Sequence, residues 1–169
     1  MTLTTHAAVG MLVAQVTGSP STGFLAGAVS HYFMDAIPHG DEFLYWRHKH
    51  NARDPLPFLV STIDVLFLVL LVLFVINFRN DPQMTITIFG AIGGVVPDIL
   101  MMFGRAGKEV EHVPQKISRI PLYFITRLIQ IHYDFHKLFH DTIKTPIRFR
   151  TGLFMQSVFL LVFVRYFIV

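Results

Sequence analysis

His31, Asp35 and His39 recur every fourth residue in the stretch Ser30-His31-Tyr32-Phe33-Met34-Asp35-Ala36-Ile37-Pro38-His39-Gly40-Asp41. On an α-helix each such step advances about 6 Å and turns about 40° past a full circle. The three side chains therefore fall within roughly 80° of one face. Two imidazoles and a carboxylate on one face suit a divalent metal such as zinc; the competing reading is three polar residues at a helix end facing water. A second series at the same interval, His132, His136 and His140, stands late in the chain. His6 and the acids Asp64 and Asp98 lie within apolar runs. Cysteine is absent, so any metal must take histidine and carboxylate ligands.

The elements that must position these residues belong to an apolar chain. Of its 169 residues, 53% are hydrophobic and only 15% charged, with 17 Phe. A soluble domain needs a more charged exterior, and this length suits one domain, spanning 1–169. The net charge of +3 comes from basic residues scattered between apolar runs, a pattern of membrane topology rather than nucleic-acid binding. No Lys or Arg precedes the first apolar segment, so a cleaved signal peptide is not expected. The expected fold is all-α: an integral, polytopic membrane helix bundle of five to six helices, one of them an amphipathic surface helix.

The first helix is expected over Thr2–Thr17 and the second over Ser21–Ile37, joined by the Gly18-Ser19-Pro20-Ser21 turn. Both are brief for a span of ~20 residues. Small residues repeat every four positions on each: His6, Gly10 and Ala14, then Gly23, Gly27, His31 and Asp35. Such spacing lets helix backbones approach closely in a membrane. Folding about Ser19 sets Ala14 against Gly23, Gly10 against Gly27, and His6 against His31.

Gly40–Asp54 reads as a polar loop, with Tyr45 and Trp46 suited to the membrane interface and His48 and His50 solvated. Leu56–Phe78 is the clearest span, interrupted by Asp64. A carboxylate at the centre of a span costs ~2.5–3.5 kcal/mol on insertion scales, which marks it as a functional candidate. After the Asn80-Asp81-Pro82 turn, Met84–Gly104 forms a fourth helix containing Pro97-Asp98. A turn centred on Asp81 places Asp64 opposite Asp98. Arg105–Arg119 is a basic connector that includes His112. Pro121–Ile143 separates into a polar stripe, an apolar stripe and a stripe of Ile125, Ile129, His132, His136 and His140. Such a helix suits the membrane surface, with its histidines turned into the bundle. Gly152–Val169 is a last apolar helix.

If the first four helices span in turn, the 40–54 and 105–119 loops share a side. Those loops hold Arg47, Lys49, Arg53, Arg105, Lys108, Lys116 and Arg119, against Arg79 alone in the opposite turns. The richer side is then cytoplasmic, in a cell inner or plasma membrane. His6, the His31–His39 block, Asp64, Asp98 and the late histidines all approach that face.

Thr5-His6, Gly27-Ala28-Val29-Ser30-His31 through Asp35 and Pro38, Val96-Pro97-Asp98 and the His132/His136/His140 cluster together resemble the membrane-bound metal-dependent hydrolase family, whose motifs are similar to those of zinc-dependent phospholipases C and zinc nucleases. The resemblance implies that His6, His31, Asp35, Asp98, His132 and His136 are metal ligands or their close neighbours. The chain departs from the family pattern at Leu100, where a second acid usually stands. It departs again at His136-Lys137 and Phe139-His140-Asp141, and its His-x3-Asp block comes first rather than late.

The function expected from these readings is a membrane-embedded hydrolase of a phosphoester, such as a lipid, with one to three zinc ions. The expected metal ligands are His6, His31, Asp35, His39, Asp98, His132, His136 and His140. Asp98 and Asp64 are the catalytic candidates: Asp35 or Asp98 to bridge metals or orient water, Asp64 to orient a histidine. Membrane lipids are the expected surroundings, and no nucleic-acid partner is expected. The rivals are a transporter or non-hydrolytic metal-binding membrane protein, and a scaffold whose polar residues only lock helices together. The topology has its own test in a chain without native cysteine. Single cysteines at His48→Cys and Asp81→Cys should be labelled by an impermeant maleimide from opposite sides of the membrane. Labelling of both from one side would reject the arrangement.

Overall fold

The computed structural model describes residues 1–78, 83–110, 120–140 and 147–168. All regular structure among them is helical: α1 (Leu3–Ala14), α2 (Pro20–Asp35), α3 (Glu42–His50), α4 (Pro55–Phe78), α5 (Met84–Val110), α6 (Ile120–His140) and α7 (Phe149–Ile168). The all-α class is as expected, with seven helices among the described residues where about five to six were expected. The turn over 79–82 and the 111–119 part of the connector, including His112, lie outside the described residues. Residues 105–110, expected in that connector, instead continue α5.

The additional helix, α3, forms inside the expected polar loop. Glu42–His50 contains neither Gly nor Pro, and its Glu, Leu, Arg and Lys are good helix formers. The Phe43 ring lies 5.7 Å from that of Phe149 and carries the Arg47 guanidinium 5.6 Å from its centroid. Arg47 also donates to Asp54, whose other oxygen accepts from the Leu56 amide at 3.0 Å and caps α4. His48 and His50 are exposed, as expected for solvated residues.

A Ser19/Thr22 capping box with Pro20 in the first turn starts α2. It stops at Asp35, two residues short of the expected Ile37, because the residue before Pro38 is driven out of helical geometry. α1, α2 and α5 pack as a close trio. A Cβ on Gly10 or on Gly27 would collide with the carbonyl oxygen of Gly90. One on Gly93 would strike the Phe24 carbonyl, and one on Gly94 that of His6. The expected hairpin register is present at both ends. A Cβ on Gly23 would stand 3.3 Å from that of Ala14, and the His6 and His31 rings stack at 3.9 Å. In the middle, Gly10 and Gly27 both receive Gly90 of α5 rather than each other.

Behind the trio, Ala7, Ala8 and Met11 of α1 share a core with Leu71 and Val75 of α4, Ala91 and Val95 of α5, and Phe163 of α7. The rest of α4 shows apolar side chains outward, including Phe58, Leu66, Phe67, Leu70 and Leu73. An apolar surface of that extent marks contact with lipid or protein. Among the described residues two helices are long and apolar enough to cross a membrane, α4 over Pro55–Asn77 and α5 over Met84–Met102. α1 and α2, of 12 and 16 residues, fall short of the ~20 residues of a full span.

The glycine contacts predict a sign. Gly90→Ala gains about 1 kcal/mol of helix propensity but drives a methyl into Ala14 and the Gly10 carbonyl. Overpacking against backbone costs about 1–3 kcal/mol, so the variant should melt below wild type in detergent. Gly18→Ala meets nothing within 4 Å and should stay within about 0.5 kcal/mol of wild type. An equal or higher melting temperature for Gly90→Ala would reject the trio packing.

Candidate metal centre

The centre is built on a fully satisfied helix start. The first four amide groups of a helix have no partner within it, and α1 finds one for each. Thr2 N–H donates to Gln156 Oε1 at 2.8 Å, and Leu3 and Thr4 N–H donate to Asp64 Oδ2 and Oδ1 at 2.7 and 3.2 Å. Thr5 N–H donates to Thr2 Oγ1. The Thr4 hydroxyl adds a 2.6 Å bond to Asp64 Oδ1. A carboxylate here also faces the positive end of the helix dipole. This corrects two expectations for Asp64. It neither faces Asp98 nor orients a histidine ring; it anchors the helix that carries His6, because α4 packs on α1 and both its oxygens are taken by that helix's donors.

One turn inward, three imidazoles and two carboxylates meet. His31, Asp35, Asp98 and His136 form a group whose ligand atoms all lie within 4.8 Å of one another, an arrangement that could hold a metal ion. His31 Nε2 and His136 Nε2 are 3.4 Å apart. They lie 3.1 and 2.7 Å from Asp35 Oδ2 and 3.8 and 3.9 Å from Asp98 Oδ1. A tetrahedral shell with bonds of ~2.0–2.1 Å has edges of about 3.3 Å, so these separations bracket the size of such a shell. The side chains of His6, His31, Asp35 and His136 have no exposed surface, whereas that of Asp98 is 23% exposed.

The tautomer of His31 follows from its outer contact. The Gly94 carbonyl, 2.7 Å from Nδ1, can only accept, so Nδ1 carries the proton and the Nε2 lone pair points at the carboxylates. Metal-binding histidines are oriented in this way. Pointed at two anions, that lone pair is repelled unless a proton or a cation lies between them. His6 adds a second sign of fit: it is fully buried, and neither ring nitrogen makes a well-formed hydrogen bond.

Other expected ligands stand apart from the group. His132 is corrected to a helix tie: its Nε2–H donates to the Pro97 carbonyl at 3.0 Å, and its Nδ1 accepts from the Tyr32 hydroxyl at 3.2 Å. Both nitrogens are thereby occupied, one turn before His136. His39 is also corrected. It lies beyond the end of α2, with Nδ1–H donated to the Ile37 carbonyl at 2.7 Å and Nε2 3.3 Å from Asp41. Its expected face ended with the helix. The Met1 ammonium joins this border, 2.9 Å from Asp41 and 3.3 Å from Asp35 Oδ1. Burial works to raise the Asp41 pKa, but the ammonium and His39 outweigh it and hold the carboxyl below its usual range. His140 ends α6, and its side chain lies outside the described residues.

The residues not anticipated from the sequence are Gly94, Tyr32, Gln156 and Asp41. Gly90, Gly94 and Asp98 repeat at the four-residue interval already evident in α1 and α2, and that pattern marks Gly94. Nothing local marks Tyr32, Gln156 or Asp41. No family model, curated protein or solved structure matches the chain.

The two neighbouring histidines should behave differently. If this group holds a divalent metal, protein purified without chelator should lose it in His136→Ala and keep it in His132→Ala, read by elemental analysis. Asp64→Ala should also keep the metal but lose about 0.5–2 kcal/mol of stability, the cost of a removed helix cap. Metal retained in His136→Ala, or lost in Asp64→Ala with the fold intact, would contradict these assignments.

Proposed function

We propose that this chain is a membrane-embedded, divalent-metal-dependent hydrolase of phosphoesters, with its site toward the cytoplasmic face of a polytopic bundle and zinc as its metal. The observation that carries this reading is the convergence of the His31 and His136 Nε2 atoms on Asp35 and Asp98, with the proton of His31 held on the far nitrogen by Gly94. The exposed α4 surface and the two candidate spans support a lipid setting. The resemblance to membrane-bound metal-dependent hydrolases points the same way.

His31, Asp35, Asp98 and His136 would hold the divalent cation, which would supply Lewis acidity toward a phosphoryl oxygen and a better water nucleophile near neutral pH. The chain's own residues set the rest. Asp98 is the acid that reaches solvent, so it can accept a proton from an incoming water or release one to a leaving group. Asp35, packed among three imidazoles, is the fixed ligand. Tyr32 and His132 tie α2, α6 and α5 together around it.

The rival favoured by the same donors is a metal-binding membrane protein without hydrolysis. Purified protein should be stripped with chelator, reloaded with zinc and offered bis(p-nitrophenyl) phosphate and p-nitrophenylphosphorylcholine. Hydrolysis of at least one should appear with zinc and vanish with chelator. Asp98→Asn should lose more than the ~10–100-fold typical of a residue that only orients a ligand. Zinc binding without hydrolysis of either ester, together with zinc flux in proteoliposomes, would favour the transporter; absence of bound metal would leave the scaffold.

A further inference from the structure

α4 and α7 run in the same direction from the same level. Asp64 of α4 and Gln156 of α7 both bond the first turn of α1, and farther along Leu71, Val75 and Phe163 share a core with Met11. The starts of the two helices are tied through the 40–54 segment. A Cβ on Gly40 would stand 3.0 Å from Phe149 Cα, and the Phe43 and Phe149 rings meet at 5.7 Å. Just past those starts both helices turn apolar side chains outward, Phe58 and Leu59 on α4 and Leu153 and Phe154 on α7.

At this shared level stand Lys49 and Arg53, before α4, and Arg148 and Arg150, at the start of α7, all four exposed. Among the described residues none of the four forms a salt bridge. Asp54 and Asp41 in the same segment are engaged elsewhere, Asp54 with Arg47 and the Leu56 amide, Asp41 with the Met1 ammonium and His39. Tyr45 and Trp46 of α3 are also exposed. The His50 ring lies 4.3 Å from that of Trp46 and donates its Nδ1–H to the Trp46 carbonyl at 2.8 Å, which holds the indole at this level.

A partner that covers this surface must be anionic at the basic band and apolar just past it. A nucleic acid meets only the first demand, whereas a layer of anionic phospholipid meets both. We propose that Lys49, Arg53, Arg148 and Arg150 form a docking surface for the headgroups of anionic phospholipids, with Tyr45 and Trp46 lying among those headgroups. This rests on the reading of the chain as membrane-embedded and needs neither the metal nor hydrolysis. Guanidinium groups pair bidentately with phosphate, and Tyr and Trp rings suit the membrane interface. Each basic residue near an anionic leaflet is worth about fivefold in affinity.

Trp46 is the only tryptophan in the chain, so its fluorescence reports this surface. The full chain is reconstituted in vesicles of phosphatidylcholine and phosphatidylglycerol, one or the other lipid brominated near the carboxyl end of its acyl chains. Quenching of Trp46 then gives the relative affinity of the two headgroups. Phosphatidylglycerol should be preferred at least about fivefold at low salt, and the preference should shrink in molar salt, where charges are screened beyond ~3 Å. Combining Lys49→Gln, Arg53→Gln, Arg148→Gln and Arg150→Gln should bring the two lipids close to equality. The melting temperature should stay near wild type, since exposed side chains contribute little to stability. Equal quenching by the two lipids in wild type would overturn the docking surface while leaving the chain in the membrane. A preference that survives in the fourfold variant would overturn it too. No quenching by either lipid would overturn the membrane reading along with it. If the fourfold variant does not fold, Lys49→Gln/Arg53→Gln and Arg148→Gln/Arg150→Gln should each lose part of the preference, and an unchanged preference in both pairs would overturn the assignment.

Discussion

The carbonyl oxygen of Gly90 occupies the space that a side chain at Gly10 or at Gly27 would need. That contact between three backbones sets everything inward of it. One turn along α5, Gly94 lies against the His6 backbone and presents its carbonyl to His31. A further turn brings Asp98 to the histidines. Lipid tails are as apolar as leucine, so helices inside a bilayer associate through close packing and polar contacts rather than by escaping water. Glycine-to-backbone contact serves that purpose, and it also makes the donor positions rigid. A ligand set presented from three helices keeps its geometry only if those helices cannot slide.

Asp64 and Asp35 are held in opposite ways, and the contrast identifies the one suited to a cation. Asp64 has its charge met by two amides, a hydroxyl and the positive end of α1. It needs nothing further. Asp35 is fully buried and faces three imidazoles, one of which, in its neutral form, can offer only a lone pair. Removing a carboxylate from water costs several kcal/mol unless an opposite charge compensates, and the partly exposed Asp98 adds a second negative charge nearby. The Met1 ammonium, 3.3 Å from Asp35 Oδ1, meets part of that charge, and bound cations or protonated histidines can supply the rest. Divalent ions do so with fewer like-charge contacts among the rings.

Much of this centre is legible in the sequence because it is written at helical period. His6, Gly10 and Ala14 on α1, and Gly23, Gly27, His31 and Asp35 on α2, put histidine and acid on the same faces as the small residues. Folding the hairpin then brings His6 to His31. What failed has a physical cause each time. His39 continues the interval in sequence but not in space, since Pro38 ends the helix before it. His132 shares a stripe with His136, yet periodicity reports only the face of a helix and not the depth at which a neighbour meets it. Pairing Asp64 with Asp98 assumes that consecutive helices pack on each other. α4 packs on α1 instead, and no local signal in either helix announces that. The helix α3 was hidden because charge and polarity resemble a loop when the apolar face is small.

Where the ligands sit along their helices bears on transport against hydrolysis. His6 lies near the start of α1, Asp35 at the end of α2, Asp98 in the second half of α5 and His136 near the end of α6. A conducting path would distribute polar donors along the length of the spans, but the glycine contacts on the other side of this cluster close the trio backbone to backbone. An ion bound here has a protein seal on one side and the partly exposed Asp98 on the other. Access from one direction, into a site that fixes its donors, is the requirement for holding an ion while a substrate comes and goes. That asymmetry is the observation that favours the proposed hydrolase over a route across the membrane.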